Sequence, residues 1–234
     1  MAESIRIASR FNGPRGSGNG GYSAGLVAGL LGGEAEVNLR RPVPLDTELQ
    51  VVREGDDEVR VLDGDSLVVE GRRAAVDIDV PAPVSLSEAR RATERFPGPP
   101  DEIFSRCFVC GKEREDSFGV FAGAVEGRPL VATPWTPPAW TADSSAGVSA
   151  EHVWAALDCP TYFAAYMDEE PAVSFLVQFT ARVTAGVPVD TEHVVIAWPI
   201  EVEGRKRRAG SAVLSADGET LAVASALLVE PKAG

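Results

Sequence analysis

Asp158 is the residue of this 234-residue chain whose surroundings point to chemistry. The stretch Ser149-Ala-Glu-His-Val-Trp-Ala-Ala-Leu-Asp-Cys-Pro-Thr-Tyr-Phe-Ala-Ala-Tyr-Met167 sets Val153, Ala156, Leu157, Tyr162 and Phe163 at roughly helical spacing, so one carboxylate lies beside an otherwise apolar helix face. A charge in that position either reacts or has a structural duty: a cap, a pair with an arginine, or a kink at Pro160 would also hold it. A second stretch, Gly16-Ser-Gly-Asn-Gly-Gly-Tyr22, leads into a short small-residue helix over residues 23–31 that holds no carboxylate. Amides at a helix N-terminus are unpaired and sit at the positive end of its dipole. Gly20 and Gly21 therefore suit an oxygen that gains negative charge, because no side chain blocks close approach.

Other chemistries fit less well. Gly16, Gly18 and Gly21 match the dinucleotide-binding spacing, but the strand before them alternates and no parallel strand-helix-strand unit follows. No Lys-Ser or Lys-Thr follows the loop, which excludes an ATP-binding P-loop. Cys107 and Cys110 form a Cys-x-x-Cys pair, yet only Cys159, His152 and His193 remain as further ligands, so no metal is expected. His152 lies six residues before Asp158 on a different helical face and reads as a surface or capping residue. A serine hydrolase would need a nucleophile elbow, and no Gly-x-Ser-x-Gly in strand-to-helix context is present.

A net charge of −13 disfavours binding to a nucleic-acid backbone. The dense basic run Arg205, Lys206, Arg207 and Arg208 is the exception, readable either as a clamp for a polyanionic ligand or as a solvated hairpin end. Three cysteines are too few for a disulfide framework, and no apolar run approaches the roughly 20 residues of a membrane span. With no hydrophobic leader at the N-terminus, a cytoplasmic location and no membrane partner are expected.

The elements that must position these groups come in two rounds. Residues 5–11 alternate as a half-buried strand, the helix follows, and residues 35–41, 48–53, 58–62 and 66–80 read as four strands. Residues 81–106 form a proline-rich linker with a helix over 86–95, capped by Ser85 with Glu88. Then come a strand at 130–135, the Asp158 helix, and strands at 172–183, 193–202, 207–215 and 220–229. Pro44-Leu-Asp-Thr-Glu48 returns as Pro188-Val-Asp-Thr-Glu192, and Asp63-Gly-Asp-Ser-Leu-Val-Val69 as Asp217-Gly-Glu-Thr-Leu-Ala-Val223, the mark of an internal duplication. An apolar helix followed by an antiparallel meander packs economically as a curled sheet around the helix. The expected fold is α+β: a first domain over 1–80, a linker, and a second over 107–234, joined edge to edge with helices back to back.

Asn12, Gly18-Asn-Gly-Gly21, Cys107-Phe-Val-Cys-Gly111, Gly119-Val120, Ala156-Leu-Asp158 and Val173-Ser174 give the chain a resemblance to the hotdog-fold acyl-CoA thioesterases, in particular the phenylacetate-pathway type, as a tandem double hotdog. In that family a His-Gly-Gly motif precedes one helix and an acid lies eight residues beyond its first glycine on the partner's equivalent helix. Here Asn19 replaces the histidine, Ala28 stands eight residues beyond Gly20, and Ala150 stands eight before Asp158. The resemblance thus implies one site per chain, shared between halves. It assigns Asp158 as general base or nucleophile and Gly20 and Gly21 as oxyanion donors, with Asn19, Asn12 and Ser174 positioning. It also implies a homodimer, an acyl-CoA substrate with no separate cofactor, and cysteines that mark an ordered segment. Tyr162, Phe163, Tyr166, Trp135, Trp140 and Trp154 are candidates for an acyl pocket or plain core. A non-catalytic acyl-CoA or lipid-binding module is the alternative from another class. A hydratase would need a carboxylate paired with a histidine, which neither half has.

Overall fold

The computed structural model describes residues 3–144 and 146–232, so residues 1–2, Ser145 and residues 233–234 lie outside it. The first half runs β1 (Ser4–Ile5), α1 (Gly20–Leu30), β2 (Ala35–Leu39), β3 (Leu49–Arg53), β4 (Glu58–Asp63) and β5 (Ser66–Arg73). Then come α2 (Leu86–Thr93), β6 (Gly123–Ala124), β7 (Val131–Trp135), α3 (Ala150–Ala165), β8 (Phe175–Val183), β9 (His193–Glu203), β10 (Lys206–Leu214) and β11 (Thr220–Val229). All strands join one antiparallel sheet in the order β1-β3-β4-β5-β2-β8-β11-β10-β9-β7-β6. The order of the first half is repeated, mirrored, in the second, and the halves meet where β2 pairs with β8 through Ala35↔Ala181 to Asn38↔Gln178. Each half is a curled sheet on one central helix, and the α+β tandem hotdog architecture expected from the sequence is the one observed.

The duplicated letters fold alike. Asp46 and Asp190 both take φ of 54°, a left-handed conformation that Asp tolerates. Each donates its backbone N–H across to the strand-side segment, to Ile7 O and Pro137 O respectively, both at 2.8 Å. The residues that enter the helices are also matched: Asn19 N–H donates to Phe11 O and Ser149 N–H to Thr141 O.

Two expected strands are shorter than their patterns. Residues 5–11 pair only at the end of β1 and in a single parallel bridge of Ile7 to Leu45, because the chain turns into a 3-10 helix at Ser9–Phe11. Residues 66–80 stop pairing at Arg73, opposite Ala35, where β2 begins, and Arg72 faces Glu58, where β4 begins. The partners run out, while the alternation of Val76, Ile78 and Val80 continues and buries them elsewhere.

That burial concerns the connection between the halves. Ser85 and Glu88 form the expected capping box, and α2 buries Ala89 and Ala92 on the outer face of the second half's sheet. Alternate residues of β9 explain how both faces are covered. Val195 and Ala197 face the main core around α3, whereas Val194, Ile196 and Trp198 face α2. The segment between the halves is thus the outer layer of the second half.

Candidate active site between the two helices

The central helices pack at close range because glycine faces backbone. A Cβ on Gly21 would stand 2.5 Å from both Asp158 Cβ and Trp154 O, and one on Gly25 would stand 2.5 Å from Glu151 Cα. This contact brings the start of α1 onto the third turn of α3, where Asp158 sits. Pro160 lies inside α3 just beyond and leaves Ala156 O without its helical N–H, and hydroxyls take nearby carbonyls: Ser211 Oγ donates to Leu157 O at 2.8 Å and Thr161 Oγ1 to Asp158 O at 2.6 Å.

Asp158 Oδ2 accepts the Gly21 N–H at 2.8 Å and the Asn19 side-chain amide at 3.2 Å. Asn19 is itself the N-cap of α1, its Oδ1 accepting the Tyr22 N–H at 2.8 Å. One side chain therefore fixes the helix start and the carboxylate together. Asp158 is only 8% exposed, and burial pushes its carboxyl up to about 7, with the Gly21 and Asn19 donors opposing and the nearby Cys107 adding to the rise. A carboxyl poised there exchanges a proton readily near neutral pH.

The Gly20 amide is the neighbouring donor. As the first residue of α1 it has no intrahelical acceptor, and no backbone or side-chain acceptor meets it among the described residues. A cavity of about 520 Å³ opens beside it, lined by Asn19, Gly20, Asp158 and Ser174 together with apolar groups such as Leu176 and Phe163. Ser174 Oγ is buried in that wall near the Tyr166 hydroxyl, with no partner at hydrogen-bond geometry among the described residues. Three exposed arginines, Arg15, Arg40 and Arg41, also line it and so mark its solvent-facing rim. Arg40 pairs with Glu70, while Arg15 and Arg41 make no ion pair among the described residues.

The structure thus brings together Asp158, Gly20, Gly21, Asn19 and Ser174. Gly21 uses its amide on Asp158, which leaves Gly20 as the free donor. Asn12 stands apart. Its amide donates to Gly13 O and Arg106 O and its Oδ1 accepts from Arg114, so it tethers the loop before Cys107 and lines a separate cleft.

The basic run 205–208 does not line the cavity. Arg207 is buried, stacks on the Tyr166 ring and pairs with Glu169 and Glu230; Arg208 pairs with Glu201, Lys206 with Glu203, and Arg205 donates to Glu230 O. It is a hairpin end whose charges are committed within the fold. Of the surface and capping roles expected of His152 the surface one fails: it is buried, with Nδ1 bonded at 2.7 Å to Ser149 Oγ at the N-cap of α3, among the rings of Phe11, Tyr22 and Trp140. Of the six aromatic candidates, Tyr162 and Phe163 line the cavity, Trp135 and Trp154 are core, Tyr166 donates to Glu230, and Trp140 is exposed under the Arg10 guanidinium.

One group came together that spacing alone did not join. Cys159, next to Asp158 on α3, meets Cys107 and Cys110, and the three sulfurs lie within 4.8 Å of one another in the cavity wall. Thiol hydrogen bonds from Cys110 and Cys159 hold Cys107 well below the usual thiol range, and their contact with Cys107 first, then burial, pushes the other two up. The sequence signal was the pair; the third member needed the fold.

Nearly the whole chain is similar to solved structures. A TesB protein of Mycobacterium avium subsp. paratuberculosis matches at 12% identity and a TM-score of 0.63, over 97% of this chain and 92% of that one. A protein of unknown function with a hot dog fold from Alicyclobacillus acidocaldarius matches at 14% identity and 0.61, over 99% and 93%. An acyl-CoA thioesterase II, TesB2, of Mycobacterium marinum matches at 11% identity and 0.55, over 90% of each. No family model and no curated protein matches the sequence. At such identities the likeness carries the fold, two hotdog units in one chain.

Proposed function

We propose that the chain hydrolyses an acyl thioester of coenzyme A at one site, with Asp158 as general base and the Gly20 amide holding the carbonyl oxygen. The observation that carries this reading is a buried carboxylate, fixed by donors from the other half, beside an unpartnered helix-start amide in the wall of an apolar cavity. The TesB names among the structural neighbours support the reaction class.

In this reading the acyl group enters the cavity and the carbonyl oxygen meets the Gly20 N–H at the positive end of α1. Asp158 takes a proton from a water that attacks the carbonyl carbon, and Ser174 Oγ orients that water. The new C–O bond forms, the C–S bond breaks, and the leaving sulfur takes the proton held by Asp158, which restores the carboxylate. Asn19 keeps the carboxylate aimed in both states. The phosphates of coenzyme A are assigned to Arg15 and Arg41 at the rim, since the 205–208 run is engaged with its own carboxylates.

The test is chromatographic detection of free coenzyme A from a panel of short, long and aromatic acyl-CoAs, with wild type beside Asp158→Asn. Turnover that falls about a thousandfold in the variant, with acyl-CoA still bound, fits general-base catalysis. Binding without turnover by both proteins would replace the hydrolase by a binding module. Arg15→Ala with Arg41→Ala is expected to raise KM for an acyl-CoA about tenfold and leave a short thioester without the nucleotide unaffected.

A further inference from the structure

We propose that Cys107, Cys110 and Cys159 form a binding site for one thiophilic divalent cation of the zinc type, set in the cavity wall beside Asp158. Cys107 and Cys159 hold their sulfurs 3.8 Å apart, and all three lie within 4.8 Å of one another. A disulfide needs about 2.05 Å between sulfurs. Tetrahedral thiolate ligands at about 2.3 Å from a shared metal stand about 3.8 Å apart, so the spacing suits ligands of a common centre.

The backbone around the pair is shaped for the same purpose. Cys107-Phe-Val-Cys-Gly111 closes a tight turn in which Gly111 N–H donates to Cys107 O at 2.9 Å. A Cβ on Gly111 would stand 2.6 Å from Cys107 N and O, so the turn admits only glycine there. Val109 N–H points at Cys107 Sγ at 3.4 Å, and the Asn19 amide lies 4.0 Å from both Cys107 Sγ and Cys159 Sγ. Donors aimed at sulfur stabilise thiolate and serve as the outer shell of a thiolate-bound metal.

Three thiolates select a soft, tetrahedral ion over magnesium or calcium, which take oxygen ligands. The histidines do not join the group: His152 is engaged with Ser149, and His193 with Pro188 O. With three protein ligands that line the cavity, the fourth position opens toward it and is left to water or to a ligand atom from the cavity. The site does not depend on the hydrolase reading, since neither its ligands nor its geometry invokes the substrate.

The full-length chain, reduced and stripped with a chelator, is titrated with cobalt(II) and then with zinc(II). Expected are one cobalt per chain, visible bands of tetrahedral cobalt, a thiolate-to-metal charge-transfer band, and displacement of cobalt by one equivalent of zinc. Cys159→Ser is expected to weaken binding at least a hundredfold while far-UV circular dichroism stays that of wild type. If that variant fails to fold, thiol labelling of wild type decides: one equivalent of zinc should protect all three cysteines, and the chelator should restore labelling. Octahedral cobalt without charge transfer, wild-type affinity in Cys159→Ser, or labelling unaffected by zinc would each overturn the site.

Discussion

Burying Asp158 couples the proposed chemistry to stability. The carboxyl is raised from an ordinary 3.8 to about 7 by burial first, and the sign of its effect follows. Below about pH 4 both folded and unfolded chains hold the proton and the group is neutral in effect. Between about 4 and 7 only the folded chain holds it, so stability falls as pH rises, by on the order of 4 kcal/mol, and then levels off. Asp158→Asn keeps an acceptor for the Gly21 N–H but never ionises. In metal-free protein it is expected to unfold at higher denaturant than wild type at pH 8 and with little difference at pH 4, while turnover is lost. Equal midpoints at pH 8 would mean that Asp158 is solvated as an ordinary aspartate. The anomaly of one carboxylate in an apolar helix was legible from letters alone, but its partners were not. Asn19 looked like a lost histidine, and only the fold makes it both cap of α1 and donor to Asp158.

At the scale of elements, the glycines before α1 divide by what they face. On Gly20 a Cβ would meet the Leu176 side chain at 2.9 Å, which can move, whereas on Gly21 it would meet Trp154 O and Asp158 Cβ at 2.5 Å, on a neighbouring helix that cannot. Gly21→Ala should therefore cost about 3 kcal/mol of stability, read by urea unfolding, and Gly20→Ala about 1 kcal/mol or less. Gly20→Ala should nonetheless lower turnover, because the methyl group crowds the free amide. The hairpin between β9 and β10 makes the opposite point about charge. Arg207→Ala removes an ion-paired, ring-stacked side chain, and about 2 kcal/mol of destabilisation with KM for acyl-CoA unchanged is expected. A raised KM without destabilisation would return that run to the role of a clamp. The sequence located this hairpin but not its carboxylates, since Glu169 and Glu230 lie 38 and 23 residues away from Arg207. Strand ends at Arg73 were illegible for a similar reason: alternation records burial, and pairing ends where partner strands do.

The whole molecule is two halves of like strand order whose central helices carry complementary groups. Position by position, Asn19 corresponds to Ser149 at the helix starts, each receiving the chain from the same kind of loop. The repeat was readable because turns are demanding: Asp46 and Asp190 hold the same left-handed conformation, and both turns carry Pro-x-Asp-Thr-Glu. The helices differ: the start of α1 carries glycine amides and α3 the acid, while Ala28 on α1 and Ala150 on α3 take the equivalent places. One ligand per chain is therefore expected, measured by isothermal titration with a non-hydrolysable acyl-CoA analogue, and two per chain would show that the second interface still binds. The same asymmetry governs a split chain. Cut between residues 73 and 74, the first fragment carries Gly20 without Asp158 and the second the reverse, since the segment after Arg73 packs on the second half through Val76, Ile78 and α2. Each fragment alone also leaves one side of the β2 and β8 seam unpaired, together with the helix face that Gly21 and Gly25 bring into contact. Neither should release coenzyme A alone, and co-expression should restore both a stable complex and turnover. Turnover by the second fragment alone would remove the first half's amides from the reaction.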